Sequence, residues 1–274
     1  MSTTLDADIR IEDIEYRPGL LARLYRPAGD GPFPAIVEVH GGAWVNSDRL
    51  NNAPLAKTLA GEGIMTLSLD FRMPPEAGYP ASLQDINCGV RWFKSRARDF
   101  GARAERVGLF GTSSGGHQVL LAAMRPFDPR YAALALPGAP DVDARVAFVI
   151  SAWGVLCPLE RYGIARAANN ATVLDSHHRF WVTEAAMAEG SPPLILERGE
   201  TVETPPAWVF QGDADEWVPN AVAERLAAGW RKAGGQMELT LFPGEKHTFM
   251  RNHPDAPNSK RALAMLQAFI KQHG

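Results

Sequence analysis

Short apolar runs alternate with amphipathic stretches along this chain, and this alternation limits the possible folds more than any other feature. The segment from Leu83 to Phe93, which follows Pro80, and the segment from Val222 to Trp230 repeat apolar residues at helical spacing, and Leu263, Leu266 and Ile270 mark a last helix that ends at Gly274. Strands alternating with helices of this length predict a mainly parallel α/β sheet covered on both faces. The runs typical of buried strands are Ala35–Val39, Ile64–Phe71, Arg106–Phe110, Arg145–Ile150, Pro206–Phe210 and Met237–Phe242.

Two segments depart from this alternation. Near the start, Ile11–Tyr16 and Leu20–Tyr25 flank Pro18 and Gly19, which predicts a β-hairpin. The stretch Gly154–Thr204 lies between two predicted strands and contains no convincing strand of its own. A connection of this length is more often a functional insertion than a plain loop. We expect a largely helical cap over the carboxyl ends of the strands; the alternative is an insertion that only extends the core.

Composition fits a globular chain and excludes several kinds of partner. Apolar residues make up 46% of the 274 residues and charged residues 22%, so we expect one folded domain over residues 1–274. With 28 Lys and Arg against 31 Asp and Glu, the net charge of −3 gives no basic footprint for nucleic acid. No apolar run is long enough to span a membrane.

Localisation is inferred from the first residues and from the cysteines. The first residues, up to Gly19, are polar and acidic and lack the apolar region of a secretory signal. Cys88 and Cys157 are too few for a disulfide framework or a metal cluster, and two unpaired thiols are typical of a reducing compartment. We therefore expect a cytoplasmic protein.

The strongest chemical motif is Gly111-Thr112-Ser113-Ser114-Gly115, which directly follows a predicted strand and precedes a helical run. Gly-x-Ser-x-Gly between a strand and a helix is typical of a strained turn that exposes the hydroxyl of its middle residue. The small flanking glycines remove the Cβ clashes that such a turn would otherwise create. Ser113 is therefore the candidate nucleophile, and the backbone N–H of Ser114 would lie near a helix N-terminus, where an anion is favoured.

A second glycine motif, His40-Gly41-Gly42-Ala43-Trp44, follows the predicted strand Ala35–Val39. Two glycines allow the backbone to approach a ligand closely and leave N–H groups that the sheet does not pair. Such donors could stabilise an oxyanion. The alternative is a glycine turn with a packed Trp44.

A serine nucleophile needs a base, and the base needs an acid that orients it. Asp213 and Asp215 both follow the predicted strand Pro206–Phe210, and His247 follows the strand Met237–Phe242. We prefer Asp215, because Asp213 is close enough to the strand end to bind loop N–H groups instead. His253 is an alternative base, but it does not directly follow a strand. The order Ser113, Asp215, His247 is that of one particular fold.

On these motifs the chain resembles carboxylesterases of the α/β-hydrolase superfamily that carry His-Gly-Gly-x-Trp, the group of hormone-sensitive-lipase-like enzymes, feruloyl- or acetyl-esterase-like enzymes and kynurenine formamidases. The stretch Asp70-Phe71-Arg72-Met73-Pro74-Pro75-Glu76 is also similar to that group. Ala43 stands where many lipase-like members have glycine. The resemblance implies an α/β-hydrolase fold with Ser113, His247 and Asp215 as the catalytic triad, and with backbone N–H groups of Gly42, Ala43 and Ser114 as the oxyanion hole.

The resemblance implies hydrolysis of a carboxylic ester through an acyl-enzyme, with no cofactor and no metal. We expect a small or aryl ester rather than a long-chain lipid, because no long apolar surface helix indicates interfacial activation. Two alternatives stay open: an amidase of the kynurenine formamidase type, and a non-catalytic ligand receptor on the same fold. The oligomeric state is also open, a homodimer included. We expect the substrate pocket to be lined by aromatic side chains, namely Trp44, Trp153, Phe180, Trp181 and Trp217.

Overall fold

The computed structural model describes residues 3–6 and 9–274, with side chains from residue 9 onward. The predicted domain also includes residues 1, 2, 7 and 8, which lie outside the described residues. Within the described part, nine strands form one sheet in the order β1-β2-β3-β5-β4-β6-β7-β8-β9. The strands are β1 (Thr3–Asp6), β2 (Ile9–Arg17), β3 (Leu20–Pro27), β4 (Ala35–Val39), β5 (Met65–Leu69), β6 (Gly108–Thr112), β7 (Val149–Ala152), β8 (Ala207–Gly212) and β9 (Met237–Phe242).

The sheet is antiparallel at its start and parallel afterwards. Strands β2 and β3 form the predicted hairpin, and β3 pairs antiparallel with β5. From β5 through β4, β6, β7, β8 and β9 every neighbouring pair is parallel. Because β4 is flanked by β5 on one side and β6 on the other, the chain reverses its direction of winding there. Parallel sheets bind ligands outside the carboxyl ends of strands at such a switch point.

Helices cover both faces of the sheet. They are α1 (Ala53–Gly61), α2 (Ala81–Phe100), α3 (Ser114–Met124), α4 (Pro158–Ala167), α5 (Ala171–Trp181), α6 (Glu184–Glu189), α7 (Pro192–Glu197), α8 (Asn220–Lys232), α9 (Phe249–Asn252) and α10 (Pro257–His273). The helices predicted after Pro80, over residues 222–230 and at the end of the chain are confirmed as α2, α8 and α10.

Neighbouring residues of a central strand face two different hydrophobic clusters. In β4, Val37 belongs to the cluster that packs under α2, α3 and α8, whereas Ile36 belongs to the cluster under α1 and α10. All five residues of β4 are buried, as they are in β5 and β6. Burial on both faces explains why these strands are mostly apolar, with Glu38 in β4 and Thr66 and Ser68 in β5 as buried polar residues.

Strand boundaries differ from the predictions by a few residues, most clearly at β7. The predicted run Arg145–Ile150 contributes only its last two residues, because the strand begins at Val149 and continues to Ala152. Before Val149, the Phe148 ring fills the space beside Gly108, where a Cβ atom would collide with it. The predicted apolar run therefore includes Phe148, which packs against β6 although it precedes the first residue of β7.

Residues 154–204 contain four helices, α4 to α7, and no strand. Part of this segment covers the loop after β4, because Phe180 stacks on Trp44 with ring centroids 5.7 Å apart. Another part extends the core, because Ile195 of α7 is fully buried in the main hydrophobic cluster. Among the described helices, none is long and apolar enough to cross a membrane.

Candidate active site

Ser113 occupies the sharp turn between β6 and α3. Its backbone has φ of 52° and ψ of −120°, which is a strained conformation for a residue with a side chain. The N–H of Ser113 donates to the Ala152 carbonyl at 3.0 Å, which ties the turn to β7. A Cβ atom on Gly115 would collide with the carbonyl oxygens of Val39 and His40. Glycine at this position therefore allows α3 to begin against the end of β4.

Ser113, His247 and Asp215 form a continuous hydrogen-bond chain. The Ser113 hydroxyl donates to His247 Nε2 at 2.9 Å, and His247 Nδ1 donates to Asp215 Oδ2 at 2.7 Å. The Asp215 side chain is fully buried, whereas that of His247 is 20% exposed. A hydroxyl bonded to an imidazole that a carboxylate orients is the arrangement that activates a serine nucleophile.

The two candidate acids have different partners. Asp215 Oδ1 accepts the backbone N–H groups of Trp217 at 2.9 Å and Val218 at 3.2 Å, so its carboxylate is fixed on the loop after β8 while Oδ2 faces His247. Asp213 is exposed, and its Oδ1 accepts the N–H of Gly244 at 2.6 Å. The structure thus places Asp215, and not Asp213, against the histidine.

The loop after β4 lies beside the serine in an unusual backbone conformation. Gly42, Ala43 and Trp44 all have positive φ, at 115°, 54° and 64°. A Cβ atom on Gly42 would overlap the Asn46 carbonyl, so the loop requires glycine there. Within the described part of the chain, the N–H groups of Gly42 and Ala43 donate to no protein acceptor. They are therefore free for a ligand.

His40 supports this loop from below. Its ring stacks on Phe71 with centroids 4.3 Å apart, and its Nδ1 donates to the Gly41 carbonyl at 2.7 Å. Burial lowers the pKa of His40, so the ring is neutral at neutral pH.

Ser113 and His247 line a cleft of about 840 Å³ at the carboxyl edge of the sheet. Its lining comes from the loop after β4, from α4 and α5, and from the segment that follows His247. Much of the lining is polar or charged, including the side chains of Asn46, Asn51, Arg161, Asp175, Arg179 and Arg251. These residues could not be predicted from the sequence, because an isolated arginine on an amphipathic helix gives no local signal of a site.

The prediction of an aromatic pocket needs correction. Of the five predicted side chains, only Trp153 is among the residues that line the cleft. Trp44, Phe180 and Trp181 are buried together in a cluster with Val155 and Met187, where they join the loop after β4 to α5. Trp217 is partly buried and packs against the main core. The rings of Trp44, Phe180 and Trp181 fill the space between the helical segment and the loop after β4, because large rings stabilise packing more when they are buried.

His117 connects three elements behind the serine. It lies on α3, its Nδ1 accepts the indole N–H of Trp44 at 3.3 Å, and its Nε2 donates to the Gly190 carbonyl at 2.7 Å. Burial lowers the pKa of His117 to about 4, so this single tautomer persists at neutral pH. Among the described residues, no group of three or more His, Cys, Asp or Glu could hold a metal ion.

The fold and this site together define a class: the protein is an α/β-hydrolase with a serine, a histidine and an aspartate bonded in series at the carboxyl edge of the sheet. The BD-FAE family model matches residues 23–229. The chain belongs to the BD-FAE family.

Several curated proteins similar to this chain are named as ester hydrolases. Esterase LipQ of Mycobacterium tuberculosis is 26% identical over 250 residues, covering 86% of this chain and 56% of LipQ. Ethyl acetate hydrolase of Pseudomonas putida is 25% identical over 258 residues, covering 93% of this chain and 79% of that enzyme. The chain spans about half the length of LipQ and of the similar mycobacterial proteins LipM and LipC.

A solved structure confirms the predicted fold. Esterase Est2 of Thermogutta terrifontis with bound propionate matches with a TM-score of 0.76 and 24% sequence identity, over 96% of this chain and 94% of Est2.

Proposed function

We propose that this protein is a serine hydrolase that cleaves carboxylic esters. The observation that carries the proposal is the hydrogen-bond chain from Ser113 through His247 to Asp215, which opens into a cleft beside free backbone N–H groups. The names of the relatives support it, since LipQ is called an esterase and the Pseudomonas protein an ethyl acetate hydrolase.

In the proposed mechanism Ser113 Oγ attacks the ester carbonyl carbon while His247 Nε2 takes the hydroxyl proton. The N–H groups of Gly42, Ala43 and Ser114 donate to the oxyanion that forms. His247 then gives its proton to the departing alcohol, and an acyl-enzyme remains. Water, deprotonated by His247, attacks this ester and releases the acid and free Ser113. Asp215 keeps the imidazole in the required tautomer and stabilises its protonated form.

We further propose that the substrate is a small or aryl ester. The charged side chains on part of the cleft wall, Arg161, Asp175, Arg179 and Arg251, support this, because a long acyl chain gains most from a continuous apolar wall. Est2, the structural relative, was solved with propionate bound. We also propose a cytoplasmic location, which the two buried free thiols, Cys88 and Cys157, support.

Hydrolysis of phenyl esters of graded acyl length tests the proposal. We expect kcat/KM to be highest from acetyl to butyryl and far lower for dodecanoyl, and we expect Ser113→Ala to remove turnover while the thermal midpoint stays nearly unchanged. Acetanilide, the amide that matches phenyl acetate, should react much more slowly. Faster cleavage of the amide would favour an amidase, and a rate that rose steadily with chain length would favour a lipase.

A further inference from the structure

Arg161 carries a positive charge beside the cleft without a counter-ion bonded to it. The residue lies on α4 and lines the cleft together with Ser113 and His247. Its Nε and Nη1 atoms are shielded from solvent and have no hydrogen-bond partner, whereas Nη2 is not shielded and also donates to no protein group in the described residues. Throughout residues 9–274, no side chain forms an ion pair with its guanidinium. A desolvated charge of this kind is costly unless something pairs with it.

The neighbours of Arg161 do not satisfy its donors. The guanidinium carbon lies 5.8 Å from the centre of the Trp44 ring, a cation–π contact that offers no acceptor for a hydrogen bond. The negative charge of Asp215 attracts the guanidinium, but the Asp215 oxygens are already bonded to His247, Trp217 and Val218. Burial lowers the pKa of Arg161 to about 10, so it remains protonated at neutral pH.

The other charged groups of the cleft wall are balanced or solvated. Arg179 pairs with Asp175 at 3.6 Å, and both side chains are substantially exposed. Arg251 is exposed at the end of α9. Arg161 is therefore the one cleft arginine, within the described residues, that combines shielding from solvent with unused N–H donors.

We propose that the substrate is an ester that carries a second, free carboxylate, and that this carboxylate binds Arg161 and so determines specificity. This inference rests on the proposed function, since it names the substrate class of the same site. A carboxylate in the cleft can accept a charge-assisted hydrogen bond from Nη2, the guanidinium nitrogen that is not shielded, and it would supply the counter-ion that Arg161 lacks.

Two pairs of esters test the proposal, each pair differing only in the charged group. On the alcohol side, 3-acetoxybenzoate is compared with 3-acetoxyacetophenone; on the acyl side, monoethyl glutarate is compared with ethyl 5-oxohexanoate. In each neutral partner a methyl ketone replaces the carboxylate at nearly the same size. For at least one pair we expect kcat/KM to favour the carboxylate by about 10- to 100-fold, the range typical of a charge-assisted hydrogen bond.

Variants assign this preference to Arg161. Arg161→Met should reduce the preference to about unity, whereas Arg161→Lys, which keeps the charge without the planar fork, should retain part of it. Arg166→Met is the matched control, because Arg166 lies on the same helix, is exposed and pairs with Glu184. It should leave the preference unchanged. Because Arg161 is unpaired, Arg161→Met should fold and keep its thermal midpoint.

Several outcomes would overturn the inference while the esterase proposal stands. One is a wild-type protein that hydrolyses both members of each pair equally well, and another is a preference that persists in Arg161→Met. A third is an Arg161→Met variant whose kcat/KM falls equally for charged and neutral esters and whose thermal midpoint is lower, which would indicate a structural role.

Binding provides a measurement that does not depend on turnover. In Ser113→Ala, titration calorimetry should show for at least one of the two ester pairs that the carboxylate binds about 10-fold or more tightly than its ketone partner. The difference should disappear when Arg161→Met is added. If the wild-type protein hydrolysed no ester, the proposed function would fail, and this titration would still decide whether Arg161 holds a carboxylate. Equal binding within both pairs would refute the inference.

Discussion

Asp213 and Asp215 lie two residues apart on one loop, yet their carboxylates have different surroundings. Asp215 is buried and bonded to His247, whereas Asp213 is exposed and bonded to the N–H of Gly244. We therefore expect Asp215→Asn to keep the fold but to lower kcat by roughly 10⁴, because an amide favours the wrong imidazole tautomer. Asp213→Asn should keep kcat and lower the free energy of unfolding by about 1 kcal/mol.

The kcat values of both variants, measured beside their thermal midpoints, separate the two roles. A well-folded Asp213→Asn without activity, together with a fully active Asp215→Asn, would reverse the assignment.

Glu38 is a buried acid behind the serine that the proposed chemistry does not use. Its side chain on β4 accepts a hydrogen bond from Asn52 Nδ2 at 2.7 Å, and the same nitrogen donates to Thr112 Oγ1 at 3.1 Å. Burial raises the pKa of Glu38 to about 7. In the unfolded chain the pKa returns to its ordinary value of about 4.3. Between these values the folded state holds more protons, so the contribution of Glu38 to stability falls as pH rises.

Glu38→Gln should remove this pH dependence, because the amide keeps an oxygen for Asn52 and never ionises. We expect the thermal midpoint of the variant, relative to the wild type, to rise between about pH 4.5 and 7 and to level off above that range. Buried histidines such as His117 have the opposite dependence, but they are common to both proteins and cancel in the difference. A difference that stays constant from pH 5 to 8 would show that Glu38 is ionised throughout.

Among the secondary-structure elements, α3, the loop after β4 and the turn between α6 and α7 meet at His117. Its two ring nitrogens bond to Trp44 and to the Gly190 carbonyl, and the ring is fully buried. His117→Leu leaves both partners buried without a hydrogen bond. We expect a loss of about 2 kcal/mol or more in the free energy of unfolding, seen by calorimetry as a thermal midpoint lower by about 5 °C or more.

His253→Leu is the matched control for this variant. His253 is exposed after α9, so its replacement should change the free energy of unfolding by less than about 0.5 kcal/mol. If His117→Leu proved as stable as the control, the three elements would be held together by aromatic packing alone.

Over the whole molecule, the features that could be predicted from the sequence are those that depend on a local pattern of residues. The buried strands are short, mostly apolar runs, so the parallel sheet and its helices were predictable. Ser113, Asp215 and His247 could be chosen because each follows a strand. Strand ends were less accurate, because Phe148 is as apolar as the strand it precedes.

The lining of the cleft could not be predicted in this way. In the sequence, Trp44, Phe180 and Trp181 look the same whether they face a substrate or one another. Only the structure, which buries them in one cluster, distinguishes the two cases. Arg161 resembles any charged helix residue in the sequence. Its surroundings in the cleft are formed by Trp44 and Asp215, which are far from Arg161 along the chain, so the sequence does not show that its guanidinium has no bonded partner.

The central claim is that Ser113 is the nucleophile of an ester hydrolase, and covalent labelling tests it most directly. Intact-mass spectrometry after treatment with paraoxon should show one added diethylphosphoryl group on the wild-type protein and on Ser114→Ala, with none on Ser113→Ala. Hydrolysis of phenyl acetate should fall in proportion to the labelled fraction. A label that persists on Ser113→Ala, or a Ser114→Ala variant that is neither labelled nor active, would contradict the account.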